Sequence, residues 1–156
     1  MRTGVMAGIA AAVMLAAPAM GGNYYANGIS GNYTNGVGNA GSPWIDAGQG
    51  AGTYPDSDDT ARFTYTNGPY TVTVTGVVTA DWIRAESGDL TLHFPSAGDA
   101  LVGKMDSPSG ANGRTTITGP GTNSYVQQAY FGPAANATMV LDNGNVIHGY
   151  PGYPAR

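Results

Sequence analysis

Residues 114–144 read RTTITGPGTNSYVQQAYFGPAANATMVLDNG, in which a threonine-bearing strand closed by a glycine turn, RTTITG, is followed by a second of similar build, ATMVLDNG, from Ala137. Short strands with frequent turns suit a sandwich or a coil, but a coil also brings like strands back after a rung of roughly twenty or more residues. The return from Arg114 to Ala137 has that spacing. The chain is therefore expected to be mainly β, a small right-handed parallel β-helix (solenoid), with an antiparallel jelly-roll β-sandwich as the alternative.

The same texture extends towards both ends. ARFTYT, YTVTVTG, DWIRA, LTLHF, ALVGKM, SYVQQAYF and NVIH are short and rich in β-branched or aromatic residues, and Gly, Asn, Asp and Pro separate them. In two of them the alternation is clean: Val72 and Val74 oppose Thr71, Thr73 and Thr75, and Leu90, Leu92 and Phe94 oppose Thr91 and His93. One face of each strand is core and the other is wet. TNGPY, ESGDL and LDNGN supply turns, because Asn-Gly and its Asp or Ser neighbours tolerate positive φ.

Four segments follow from this reading. Residues 1–19 carry one basic residue, Arg2, then an apolar run ending in small residues, the pattern of a secretory signal peptide cleaved after Ala19. Residues 20–43, rich in Gly, Asn and Tyr without apolar periodicity, are expected to be a flexible segment. Residues 44–149 form the β-rich domain, and 150–156 a Gly/Tyr/Pro tail. The mature chain is expected to be secreted, extracellular or at the cell surface, without a membrane span.

Composition narrows the chemistry. The chain has no cysteine, which removes disulfides, thiol nucleophiles and thiolate metal sites. Charged residues are 10% of the chain and the formal net charge is -4, so the basic surface on which nucleic-acid affinity depends is missing. Low charge density also leaves little repulsion between copies.

Thr116 to Ile147 resembles the repeat of bacterial autotransporter passengers and secreted adhesin-like β-helix proteins, in which a Thr/Ile strand ends in a glycine turn and an Asn-Gly corner closes the rung. Tyr54 to Gly76, YPDSDDTARFTYTNGPYTVTVTG, is similar to the first rung of large exported β-solenoids. The resemblance implies a structural or adhesive surface protein. Gln127 stands where that repeat usually has glycine, and no membrane barrel accompanies it, so a self-translocating autotransporter is not expected.

Candidate sites are few. Asp56, Asp58 and Asp59 in PDSDD offer the hard oxygens calcium prefers, but the closing glutamate of a calcium loop is missing and an Asp-capped turn is the simpler reading. No cofactor is expected, and calcium is the only metal candidate. His93 faces solvent with no local partner, and no serine sits in a Gly-x-Ser-x-Gly elbow. A polysaccharide lyase or glycosidase would draw on Asp81, Arg84, Glu86 and Lys104, yet the first three share the run ADWIRAE and read as a local surface ion pair. The expectation is therefore no enzyme.

Trp44 and Trp82 are the candidates for sugar contact, although core is the simpler place for Trp82 beside Ile83. Asn32 and Asn136 match the glycosylation sequon. The threonines of TVTVT suggest an ice-binding ladder, which needs Thr-x-Thr stacked in successive rungs, and this segment alone shows it in full. A short coil also leaves strand edges unpaired at its ends, so head-to-tail self-association into a filament or matrix is expected, with a surface or matrix polysaccharide as a further partner.

Overall fold

The computed structural model describes residues 21–45, 48–106, 113–120, 123–130, 138–141 and 146–149. The expected signal peptide with its Ala19 cleavage site, the 150–156 tail, Asn136 and the DNG corner at 142–144 lie outside the described residues. What is described is mainly β: β1 (Asn23–Ala26), β2 (Gly31–Asn32), β3 (Trp44–Ile45), β4 (Thr60–Phe63), β5 (Pro69–Thr73), β6 (Val77–Ala85), β7 (Asp89–His93), β8 (Ala100–Asp106), β9 (Arg114–Thr118), β10 (Asn123–Tyr130), β11 (Thr138–Leu141) and β12 (Val146–Gly149). No helix among the described residues is long and apolar enough to cross a membrane.

From β4 onward consecutive strands alternate between two sheets. The larger runs in the order β12, β10, β8, β6, β4, β1, β3, and the smaller β11, β9, β7, β5, β2. From β6 onward each strand therefore lies beside the one two places earlier, while β4 lies beside β1 and β5 beside β2. Every ladder is parallel except the one between β1 and β3. The jelly-roll alternative, which needs antiparallel neighbours, does not fit these ladders. Arg114 pairs with Thr138, so the return read from sequence is a strand pairing.

Alternation within the strands builds the core. β5 buries Tyr70 and Val72, β7 buries Leu90 and Leu92, and β9 buries Thr115 and Ile117, each row in register with the next. Ala61, Ile83 and Met105 form the matching inward row of the larger sheet. Fully burying a Val, Leu or Ile side chain is worth about 1.5–3 kcal/mol, so these rows drive the stacking. A one-residue slip would turn each row outward.

Gly88 shows what a corner demands. It has φ 85°, and a Cβ there would strike the Tyr65 carbonyl oxygen. Only glycine meets both conditions without strain.

The flexible segment expected over 20–43 is corrected. β1 pairs with β4 and β2 with β5, while Tyr24, Tyr33 and Val37 are buried. The chain then crosses the end of the stack. Trp44 lies beneath Tyr24, Tyr33 and Phe63, with ring centroids 6.3, 5.2 and 5.4 Å away, and its indole N–H donates to the Tyr33 carbonyl at 2.7 Å. These aromatics are widely spaced and have no period, so periodicity could not reveal them, yet each reaches the same end of the core.

Two aspartates tie corners together. Asp59 accepts from Gly22 N (2.6 Å) through Oδ1 and from Asp56 N (3.1 Å) through Oδ2. Asp99 repeats the arrangement with Gly76 N and Ser96 N, both at 2.6 Å. Each carboxylate closes its own turn with one oxygen and holds the preceding rung with the other.

Among the described residues two buried phenols have no hydrogen-bond partner, Tyr33 Oη and Tyr70 Oη. Burial pushes both above the ordinary value of 10.0. Below about pH 10 the folded and unfolded phenols are both protonated; above it the unfolded chain ionises first, so stability falls as pH rises. Tyr70→Phe removes the hydroxyl that ionises. Its unfolding free energy from urea titration is expected to equal or exceed wild type at about pH 8, by up to about 1 kcal/mol, and to decline less at about pH 11.

Candidate functional site

Ionisable side chains gather on the outward face of the larger sheet. With Ala61, Phe63, Ile83, Ala85 and Met105 inward, the alternating positions Thr60, Arg62, Trp82, Arg84 and Lys104 face out. Register stacks them in two columns: Asn23, Thr60, Trp82 and Lys104 in one, and Tyr25, Arg62 and Arg84 in the other.

A bulge shapes the centre of this face. Between Thr79 and Trp82 the pairing with β8 shifts, and the N–H groups of Asp81 and Trp82 both reach the Asp59 carbonyl, at 2.9 and 3.3 Å. Two residues thus face one, which bends the strand and re-aims a side chain. Gly103 fits against the bulge, where a Cβ would strike the Ala80 carbonyl oxygen. Asp81 meets Lys104, whose Nζ donates to Oδ1 at 2.6 Å and lies 5.4 Å from the Trp82 ring centroid.

The local ion pair expected within ADWIRAE forms between Arg84 and Glu86, while Asp81 pairs outside the run, with Lys104. Glu86 follows the end of β6 and meets Arg62, at 2.5 Å, and Arg84, at 3.4 Å. Arg62 also stands 5.3 Å over the Tyr25 ring. Asp81 and Glu86 therefore belong to two different ion clusters.

Beside Trp82 the face drops into an open depression of about 420 Å³ lined by Asn23, Thr60, Trp82 and Arg84. Short side chains on β1 and β4 next to an indole on β6 create the step. Trp82 is half-buried and lines this depression rather than the core, contrary to the simpler placement. Trp44 is corrected in the other direction: at 2% exposure it cannot meet a sugar.

The remaining candidates divide by role. Asp59 is buried with both carboxylate oxygens on backbone N–H groups, and Asp56 Oδ1 accepts from Asp58 N, so PDSDD forms the capped turn. Among the described residues no three His, Asp or Glu are grouped as a metal site. His93 faces outward on β7. Asn32 uses its amide within the fold, donating to Thr75 Oγ1 and accepting from Thr34 N and Oγ1.

The smaller sheet shows more than its sequence announced. Thr71 and Thr73 lie beside Thr91 and His93, and these beside Thr116 and Thr118. Thr-x-Thr thus recurs in register, with histidine replacing one threonine in the middle row. Sequence reading also missed Lys104 as the neighbour of Trp82 and Asp99 as a second bracket. The latter had a signal in the spacing shared by Pro55 to Asp59 and Pro95 to Asp99.

No protein-family model, curated protein or solved structure matches the chain.

Proposed function

We propose that the chain is a secreted, non-enzymatic adhesive surface protein, built as a small right-handed parallel β-solenoid, that binds polysaccharide on the outward face of its larger sheet. The alternation of strands from β4 onward between two sheets, parallel in all but the β1–β3 ladder, supports the solenoid, and the handedness follows the strong preference of parallel crossovers. The leader-like residues 1–19 support export.

The depression beside Trp82 is the observation that carries the adhesive reading. A sugar ring offers an apolar face to stack on an indole and hydroxyls for Asn23, Thr60 and Arg84 to bond. Asp81 and Glu86 are held in ion pairs, which favours binding over acid-base chemistry. Glycan-array binding by the mature protein is expected. Trp82→Ala should weaken it about tenfold or more, near 1.4 kcal/mol, while Val77→Ala, at an exposed position on the same strand, leaves it unchanged. An array without signal, or equal binding by Trp82→Ala, would remove this reading.

The stacked threonines favour a second reading, an ice-facing surface on the smaller sheet. Strands about 4.8 Å apart, with outward residues about 6.6 Å apart along each, set hydroxyl and methyl groups on a two-dimensional grid. Thr91→Lys would break that grid without touching the core. Inhibition of ice recrystallisation by wild type and its loss in this variant are the expected results; no inhibition by wild type removes the second reading.

A further inference from the structure

We infer that residues 33–45 and 48–55 form an end cap that keeps the first sheet edges from pairing with another copy of the chain. Head-to-tail stacking needs a parallel edge at that end; the cap reverses the edge of the larger sheet and crowds the short edge strand of the smaller. On the larger sheet the outermost strand is β3, which is two residues long and antiparallel to β1. It occupies the side of β1 on which another parallel strand would add. On the smaller sheet the edge is β2, also two residues long, and Gly41 of the cap packs against the face of that strand so closely that a Cβ on Gly31 would strike the Gly41 carbonyl oxygen.

The cap is anchored rather than draped. Asn27 donates from its backbone N–H to the Pro43 carbonyl and from Nδ2 to the Ser42 carbonyl, both at 3.0 Å. Buried Ser42 donates from Oγ to the Asn35 carbonyl at 2.9 Å and accepts from Trp44 N at 3.1 Å. Where the excursion returns, Val37 N donates to Thr53 O at 2.7 Å and Gly52 N to Val37 O at 2.8 Å. The two ends of the loop therefore meet as a small hairpin, and Trp44 at its far side plugs the core. Short, covered and reversed edges are how sheet proteins avoid edge-to-edge pairing, and a stacked fold needs its terminal rungs closed.

The meeting of Val37 and Gly52 supplies the test. Residues 38–51 are excised from the full mature chain and replaced by Asn-Gly, the preferred two-residue hairpin turn. Circular dichroism and cooperative urea unfolding report folding, and sedimentation velocity across a hundredfold concentration range reports association. Wild type is expected to sediment as a monomer throughout, and the excised variant to associate as concentration rises. Adding Asn23→Lys and Tyr25→Lys on β1 should restore the monomer by charging the uncovered edge. A folded excised variant that stays monomeric overturns the proposal, as does association that the two lysines leave unchanged. Should the excision not fold, Asn27→Ala, which releases the Ser42 carbonyl and keeps the Trp44 plug, is read instead by amide exchange. Faster exchange confined to 23–45 together with increased association supports the cap; faster exchange with no association overturns it.

Discussion

Trp44→Ala is expected to cost about 3–5 kcal/mol of unfolding free energy, the range for truncating a large buried aromatic. Against the usual 5–15 kcal/mol of a domain, that is a large fraction. The indole touches three aromatic rings from β1, β4 and the chain after β2, so its loss leaves a cavity lined by residues that cannot collapse together without moving strands. It also strips the buried Tyr33 carbonyl of its N–H donor. Trp44→Phe should recover part of the loss, since a ring remains but the donor does not. Urea unfolding followed by far-UV circular dichroism measures both. A loss below about 1 kcal/mol for the alanine variant would mean that Trp44 is not a plug but a surface ring.

Asp99→Ala is expected to cost about 1.5–3 kcal/mol, the range for hydrogen bonds to a charged group. Gly76 N and Ser96 N both lose their acceptor, and although these two residues are exposed and water replaces part of it, the 5%-exposed Asp99 carboxylate that joins the two corners is gone. Asp99→Asn should fall between, since one oxygen still accepts while the amide nitrogen faces a second N–H. Asp59→Ala should resemble Asp99→Ala, since its two oxygens hold Gly22 N and Asp56 N in the same way. Asp58→Ala, at an exposed position, is the control and should stay within about 0.5 kcal/mol of wild type. Equal stability for Asp58→Ala and Asp99→Ala would show that the corners are not held by their carboxylates.

The inward rows were legible because period-two alternation is a local property: Val72, Val74, Leu90, Leu92 and Phe94 declare their face within single strands. The return of the strand at Arg114 beside the one near Ala137 was legible because rung length fixes which strand comes back beside which, while the register, Arg114 on Thr138, was not. What distance in sequence separates was harder to see. Tyr24, Tyr33 and Trp44 look like a loose Gly/Asn/Tyr tract until the end of the core is there to receive them. The Trp82 site was half legible. An indole was visible, but the bulge that turns Asp81 towards Lys104 depends on Gly103, a rung away. The threonine rows show the same effect, since Thr91 and Thr116 look unrelated until register sets them side by side.

Parallel register between successive rungs underlies every inference above, and the absence of native cysteine makes it directly measurable. Thr91→Cys with Thr116→Cys places two thiols on directly paired outward positions of neighbouring strands, within the 4.4–6.8 Å Cα separation of a disulfide. Thr71→Cys with Thr116→Cys places them two strands apart, about 9.6 Å, beyond the roughly 7 Å limit. Under mild oxidation and mass spectrometry of the monomer, the first pair is expected to cross-link and the second to remain as thiols. Cross-linking of the second pair, or of neither, would contradict the stacked parallel fold.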